Sequence, residues 1–337
     1  MGEESALVSV ILPFYSAETT LFRAIKSIAD QSYSHLECLM ISNNSSKQCI
    51  QIAEEFVKDD KRFKLITEPK QGVVFASNTG FSLAKGKYIA RMDADDYSFP
   101  NRIKLQVEFL EKHSDYGAIS GLVQYETKSK NTAGFIRYVD WVNSIKSYEE
   151  IINNQFVESP IVNPSAMWRK EVADKFGLYR QGNFPEDYEM WLRWLSGGVK
   201  IMKLNSVLIK WNDLPTRLTR THPIYSQEAF FRIKTKYLAL WLKKFNKDKT
   251  GVAIWGASRI SRKYIGFLNE NGIEIEFYID IKKSRQINNK VVYYQDIPEK
   301  EKVYILVYMK HTEARKQIQE FLNSRGYREG INYLMLS

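Results

Sequence analysis

The first hundred residues alternate between two hydrophobic periods, and few folds accommodate that alternation. Strand-sized apolar runs at Leu7–Leu12, Leu36–Ile41, Phe63–Ile66 and Tyr88–Met92 are separated by stretches whose apolar residues recur at helical spacing. Leu21, Ala24, Ile25 and Ile28 form one such stripe, Ile50, Ala53, Phe56 and Val57 a second, and Phe75, Ala76 and Leu83 a third. Repetition of strand, helix and strand at this spacing predicts an α/β fold, a parallel sheet with helices on its faces. In such sheets ligands gather beyond the carboxyl ends of the strands. Those ends carry Pro13-Phe14-Tyr15, Ser42-Asn43-Asn44-Ser45, Glu68-Pro69 and Asp93-Ala94-Asp95-Asp96.

With 337 residues the chain is long enough for two domains. No apolar run approaches the ~18–20 residues that span a bilayer. The opening Met1-Gly2-Glu3-Glu4-Ser5 is acidic and does not read as a signal peptide. Two cysteines, Cys38 and Cys49, are too few for a disulfide framework or a zinc cage. A cytoplasmic, reduced protein is the expectation. The net charge is +10, and between Lys200 and Thr250 twelve Lys and Arg face three acids. A surplus of nine in one segment points to a polyanionic partner, such as nucleic acid, an anionic membrane surface or phosphate groups, or else to a solvated basic helix.

The run Tyr225 to Lys244 is amphipathic and basic, and the Lys- and Asn-rich stretch after it reads as a linker. A new strand and turn follow at Val252 to Ser258, with later strands ending at Asp280 and running from Val303 to Tyr308. The expected division is therefore a first domain over 1–222, a basic helix and linker over 223–248, and a small Rossmann-like domain over 249–337. Gly256-x-Ser258-x-x-Ser261 keeps only the first glycine of the dinucleotide fingerprint, although Asp280 falls near the ribose position. Ser258 puts a Cβ where backbone should approach a pyrophosphate. No NAD is expected, and the tail is read as a structural or acceptor-binding module.

Adjacent carboxylates in Asp93-Ala94-Asp95-Asp96 repel one another, and a hard divalent cation, Mg or Mn, shared with phosphate oxygens would relieve them. Acidic turns before helices also arise as caps, so the cluster alone leaves both readings open. A second acidic pair, in Phe184-Pro185-Glu186-Asp187-Tyr188, starts a helix. Its acids suit the helix dipole, and a positioned carboxylate there could equally deprotonate a hydroxyl.

Val10-Ile11-Leu12-Pro13-Phe14-Tyr15, Ile41-Ser42-Asn43-Asn44-Ser45-Ser46, Ala76-Ser77-Asn78-Thr79-Gly80 and the Asp93 cluster, in that order, resemble family 2 glycosyltransferases. The resemblance runs from about Ser9 to Arg220. It implies the GT-A fold, a nucleotide-diphosphate-sugar donor (a UDP-sugar by preference), a divalent metal and inversion at the anomeric carbon. By that resemblance Asp95 holds the metal, Asp93 contacts ribose or sugar, Asp96 supports them, and Pro13, Tyr15, Asn43 and Asn78 line the donor. Asn43 stands where the family often has Asp, and Ser77 where many members have Arg. The Glu186-Asp187 pair looks like the family's Glu-Asp motif, which makes Asp187 the expected base and Glu186 its orienting neighbour. Arg217 and Arg220 follow where related enzymes fold a basic loop over the diphosphate, with His222 as a further metal or phosphate ligand. Trp168, in the segment that resembles the acceptor side, and Trp191 are candidates for stacking on a sugar or base, or else are core.

The whole-chain order also resembles the queuosine-tRNA galactosyltransferases and their bacterial relatives. That likeness implies galactose transfer from UDP-galactose to queuosine in tRNA, and the basic segment suits RNA phosphates. The same helix could instead lie on an anionic leaflet, as a peripheral enzyme of surface polysaccharide or lipid-linked glycan synthesis. A binder of sugar nucleotides without catalysis is a third possibility, opposed by the retention of Asp95 and Asp187.

Overall fold

The computed structural model describes residues 5–127, 132–215, 217–246, 250–256, 259–282, 291–309 and 311–336. The chain divides into two compact units, one of Met1–Tyr148 with Ile161–His222, the other of Glu149–Pro160 with Pro223–Ser337.

The first unit begins with the expected alternation: β1 (Val8–Phe14), α1 (Leu21–Ala29), β2 (Leu36–Ser42), α2 (Lys47–Asp59), β3 (Phe63–Thr67), α3 (Val73–Leu83) and β4 (Tyr88–Arg91). It continues through β5 (Tyr97–Ser98), α4 (Arg102–Lys112), β6 (Tyr116–Thr127) and α5 (Ala133–Ser144); after α6 (Tyr148–Asn154), which falls in the second unit from Glu149 onward, come β7 (Met167–Arg169), α7 (Lys170–Phe176), α8 (Glu186–Ser196), β8 (Lys200–Asp213) and α9 (Leu218–Thr221). Eight strands form one mixed sheet in the order β3-β2-β1-β4-β7-β6-β8-β5. The first four run parallel, as the alternation requires, while β7 turns antiparallel to β4 and β6. The sheet is thus GT-A-like.

Local chemistry sets these elements. The apolar stripe of α1, Leu21, Ala24, Ile25 and Ile28, is buried against the sheet, as its spacing demands. Ser46 caps α2 by accepting from the Cys49 N–H at 3.3 Å. Pro13 pairs with Ile41 of β2 at the end of β1, beyond Arg91, where β4 has already stopped. Its missing N–H therefore breaks no ladder on the β4 side. Gly80 lets α3 lie close on the sheet, because a Cβ there would meet Ile11 at 2.5 Å. These features bring the ends of β1, β2 and β4 together beside α3.

In the second unit α10 (Gln227–Phe245) precedes β9 (Gly251–Trp255), α11 (Arg259–Glu270), β10 (Ile275–Asp280), β11 (Val291–Tyr293), β12 (Val303–Val307), α12 (Thr312–Ser324) and β13 (Tyr333–Met335). The strands form an all-parallel sheet in the order β11-β10-β9-β12-β13. That is a Rossmann-type order, with Gly256 at φ +111° after the first strand and a buried Asp280 ending the second. Ser258 and the side chain of Ser261 lie outside the described residues.

Two expectations change here. Residues 223–248 do not stand apart as helix and linker, because α10 belongs to the second unit, and so does the segment Glu149–Pro160. The apolar face of α10 is already covered: Phe231 stacks on Tyr264 at 3.7 Å, and the Trp241 indole N–H reaches the Tyr304 hydroxyl at 3.2 Å. A face so occupied has little to offer a membrane leaflet. Among the described residues no helix is long and apolar enough to cross a membrane.

Candidate active site

Strand β4 ends at Arg91, and the chain leaves the sheet after the Met92 N–H has bonded the Ile11 carbonyl at 3.0 Å. The next four residues turn back on themselves, the Asp96 N–H reaching the Asp93 carbonyl at 3.3 Å. This turn brings carboxylate oxygens of Asp93, Asp95 and Asp96 within 4.8 Å of one another. Asp96 is fully buried; one of its oxygens accepts from the Asn212 N–H at 2.8 Å, and the other has no partner. Burial, then Asp95 and Asp93, push Asp96 well above the usual carboxylate range. Burial also raises Asp95, with Arg217 opposing it.

Three crowded carboxylates, one with an unclaimed buried oxygen, form a donor set that fits a hard divalent cation. No imidazole joins them among the described residues. His222 is exposed after α9 and lies outside the group.

Three arginines answer these acids. Arg91 is buried and pairs with Asp93 at 2.7 Å. Arg102, also buried, donates to the Arg91 carbonyl at 2.7 Å and the Ala166 carbonyl at 3.2 Å, and burial lowers its pKa to about 9. Arg217 lies over the Trp211 ring at 4.2 Å and donates to the Asn212 carbonyl, beside the strand residue that binds Asp96.

The Glu-Asp pair opens α8. Pro185 precedes the first turn, and its carbonyl accepts the Glu189 N–H at 3.0 Å. An oxygen of the Asp187 carboxylate accepts from the Tyr188 N–H at 2.7 Å. Burial raises the Asp187 pKa to about 6, against that hydrogen bond, and the charge of Asp93 adds to the rise. The two acidic motifs, more than ninety residues apart in sequence, are therefore electrostatic neighbours. Glu186 is buried and acts on Arg91 and Tyr179.

On the donor side, Tyr15 follows β1 and is 58% exposed, its ring available to a base. Pro13 is buried within β1. The Asn78 amide donates to the Tyr179 carbonyl at 2.9 Å, while its own oxygen is buried without a partner. Asn43 differs from expectation. Its amide nitrogen donates to the carbonyls of Glu68 and Lys70, both at 2.8 Å, and its oxygen accepts the Gly72 N–H at 2.8 Å. Buried and saturated, Asn43 fastens the loop after β3 and has no open acceptor for a base.

Three other expectations are corrected. Trp168 and Trp191 are fully buried, packed edge to face with each other at 5.9 Å and with Trp194. Neither offers a face to an acceptor. The Arg220 guanidinium forms a two-pronged pair with the buried Asp213 carboxylate, which also accepts from the Tyr125 hydroxyl, and lies 4.3 Å from the Phe135 ring. Its charge is engaged at the surface by the buried Asp213.

The sequence reading missed Arg91, Arg102 and Tyr179. A signal existed for Arg91, the one charged residue within the apolar run of β4. Burial in a strand demands partners for such a charge.

The sequence model of Glycosyl transferase family 2 matches residues 9–177, half of the chain. An uncharacterized glycosyltransferase of Haemophilus influenzae is 28% identical over 252 residues, covering 73% of this chain and 77% of that protein. The Escherichia coli protein WfaP, named a UDP-Glc:alpha-D-GlcNAc-diphosphoundecaprenol beta-1,3-glucosyltransferase, is 26% identical over 212 residues, covering 60% of this chain and 75% of WfaP. Among solved structures, residues 1-349 of S. aureus TarS in complex with UDP-GlcNAc align with a TM-score of 0.54 at 16% identity, over 78% of this chain and 71% of TarS. That last likeness carries the GT-A fold. Together with the family match, it makes this chain an enzyme of glycosyl transferase family 2.

Proposed function

We propose that this chain is an inverting, divalent-cation-dependent hexosyltransferase that uses a UDP-sugar and glycosylates a hydroxyl of a lipid-linked or surface glycan. The observation that carries the chemistry is the electrostatic neighbourhood of Asp187 and the Asp93 turn. Asp187 takes the proton of the acceptor hydroxyl as its oxygen bonds to C1 of the sugar. The bond from C1 to the diphosphate oxygen breaks on the opposite face, and UDP leaves with the electron pair. Arg217 is a fixed cation beside the departing charge. A divalent cation held by Asp95 with Asp93 and Asp96 would supply the rest of the neutralisation.

Two observations bear on the acceptor. WfaP, by its name, acts on a diphosphoundecaprenol-linked sugar. The basic segment, by contrast, offers RNA less than its composition suggested. Lys200 pairs with Asp115, Lys210 with Glu126, Arg220 with Asp213 and Arg232 with Glu228 and Glu270. Lys234 is buried on the Leu336 carbonyl. Galactosylation of queuosine in tRNA is the second reading, supported by the exposed Lys236, Lys243 and Lys244 of α10.

UDP release decides between them. The purified chain, with Mn2+ and UDP-glucose, UDP-galactose or UDP-N-acetylglucosamine in turn, is given a polyprenyl-diphosphate-linked sugar, or tRNA from cells with and without queuosine. Release stimulated by the lipid-linked sugar alone supports the glycan reading. Stimulation only by queuosine-bearing tRNA replaces it with the second.

A further inference from the structure

We infer that Arg91 is a positioning residue that fixes the donor-side aspartates against the acceptor base. Its place in the structure is unusual for an arginine. It is 2% exposed at the last position of β4, with the Asp93 carboxylate 2.7 Å away on one side. One Nη donates to the carbonyls of Met92 and Ile11, the backbone that launches the acidic turn. On its other side lie Tyr179 and Glu186, at the start of α8, both of which act on the guanidinium electrostatically. The Tyr179 hydroxyl in turn donates to Asn163 at 3.0 Å, and the Tyr179 carbonyl receives Asn78. The Arg91 Nε is buried without a partner, so the side chain is held by its fork alone. A planar fork can grip two walls at once, and an ammonium on a flexible stem cannot.

The inference rests on the reading of Asp187 as base. Hydrolysis needs only a small, mobile water opposite the leaving diphosphate and tolerates a displaced C1, whereas transfer needs C1, the oxygen of a bulky, anchored acceptor and Asp187 in register. Loss of the Arg91 fork therefore damages transfer more than donor binding or hydrolysis.

The test compares wild type, Arg91→Lys, Tyr179→Phe and the double variant, measuring UDP-sugar hydrolysis without acceptor, transfer with acceptor, donor KM and Tm. Misplacing reacting groups by an ångström costs up to about a hundredfold. In Arg91→Lys the ratio of transfer to hydrolysis is expected to fall roughly ten- to a hundredfold, with donor KM changed less than about threefold. Tyr179→Phe is expected to lower the ratio less, and to add nothing in the Arg91→Lys background, since it acts through the same guanidinium. An unchanged ratio in Arg91→Lys, or transfer and hydrolysis falling in parallel with Tm, overturns the assignment. Absence of UDP-sugar turnover in wild type, with or without acceptor, sinks the proposed UDP-sugar reading, and the role of Arg91 that rests on it.

Discussion

Two stretches of this chain carry concentrated charge, the acidic turn after β4 and the basic segment from Lys200 onward, and the fold treats them in opposite ways. The acids converge. Asp93, Asp95 and Asp96 share one turn, and an oxygen of Asp96 is left without a partner in the interior. The bases disperse over β8, α9 and α10, which belong to two different units, and most find a carboxylate or a carbonyl. Charge density along a sequence therefore predicts a site poorly. What marks a site is charge that folding gathers and compensates only in part, because burying like charges together costs free energy that a ligand can recover.

The largest test of that contrast is Asp187→Asn. Removing a general base costs about 10²–10⁴ in rate, so transfer is expected to fall by that factor while donor binding persists. Normal turnover in the variant refutes the assignment. In wild type the base must be ionised, and its pKa of about 6 places the acid limb of the pH profile there rather than near an ordinary carboxylate's value. Stability has the opposite sign. Because the folded state raises this pKa, its contribution is complete below about pH 4 and is lost as pH rises through about 6. Asp187→Asn should therefore melt higher than wild type at pH 7.5 although it is inactive.

Next in size is Asp95→Asn, expected to lower transfer by about 10²–10³ through loss of charge stabilisation at the diphosphate. Its second readout is thermal. A cation at a hundred times its Kd stabilises the folded state by about 2.7 kcal/mol, so Mn2+ should raise the wild-type Tm by several degrees and leave the variant's unmoved. Equal shifts in both proteins would remove the acidic turn as the cation site.

What the sequence revealed and what it hid divide along the same line. The strands β1 to β4, the stripe of α1 and the positions of both acidic motifs were legible because periodicity and turn chemistry are local. The partners were not. Asn43 is saturated by a loop some twenty-five residues further on, and Trp168 is buried because the short β7 slots antiparallel between β4 and β6. No spacing rule encodes either contact. The same holds for Arg217 and Arg220, three residues apart and equivalent in sequence, of which only the first stands by the acidic turn.

That pair gives a sharper comparison within the basic segment. Arg217→Ala is expected to raise donor KM roughly tenfold, the value of one charged hydrogen bond, with little change in Tm. Arg220→Ala leaves the buried Asp213 carboxylate without its cation, so it should lower stability by about 1–3 kcal/mol while donor KM stays within about twofold. The reverse pattern would mean that Arg220, and not Arg217, faces the diphosphate.

The smallest expected effect is the most informative about the acceptor. Lys236, Lys243 and Lys244 are exposed on α10, and their replacement together by Glu changes the net charge by six without touching the buried face of the helix. If the acceptor is a lipid-linked or surface glycan presented away from phosphate-rich RNA, transfer should stay within about twofold of wild type, as surface substitutions ordinarily do. If the acceptor is tRNA, losing three phosphate contacts lowers affinity and flattens the dependence of log K on log salt by about 2.7, at about 0.9 per contact. A titration between 50 and 200 mM salt separates the two. The slope is the decisive quantity, because a merely destabilised protein loses activity without changing the number of ions released on binding.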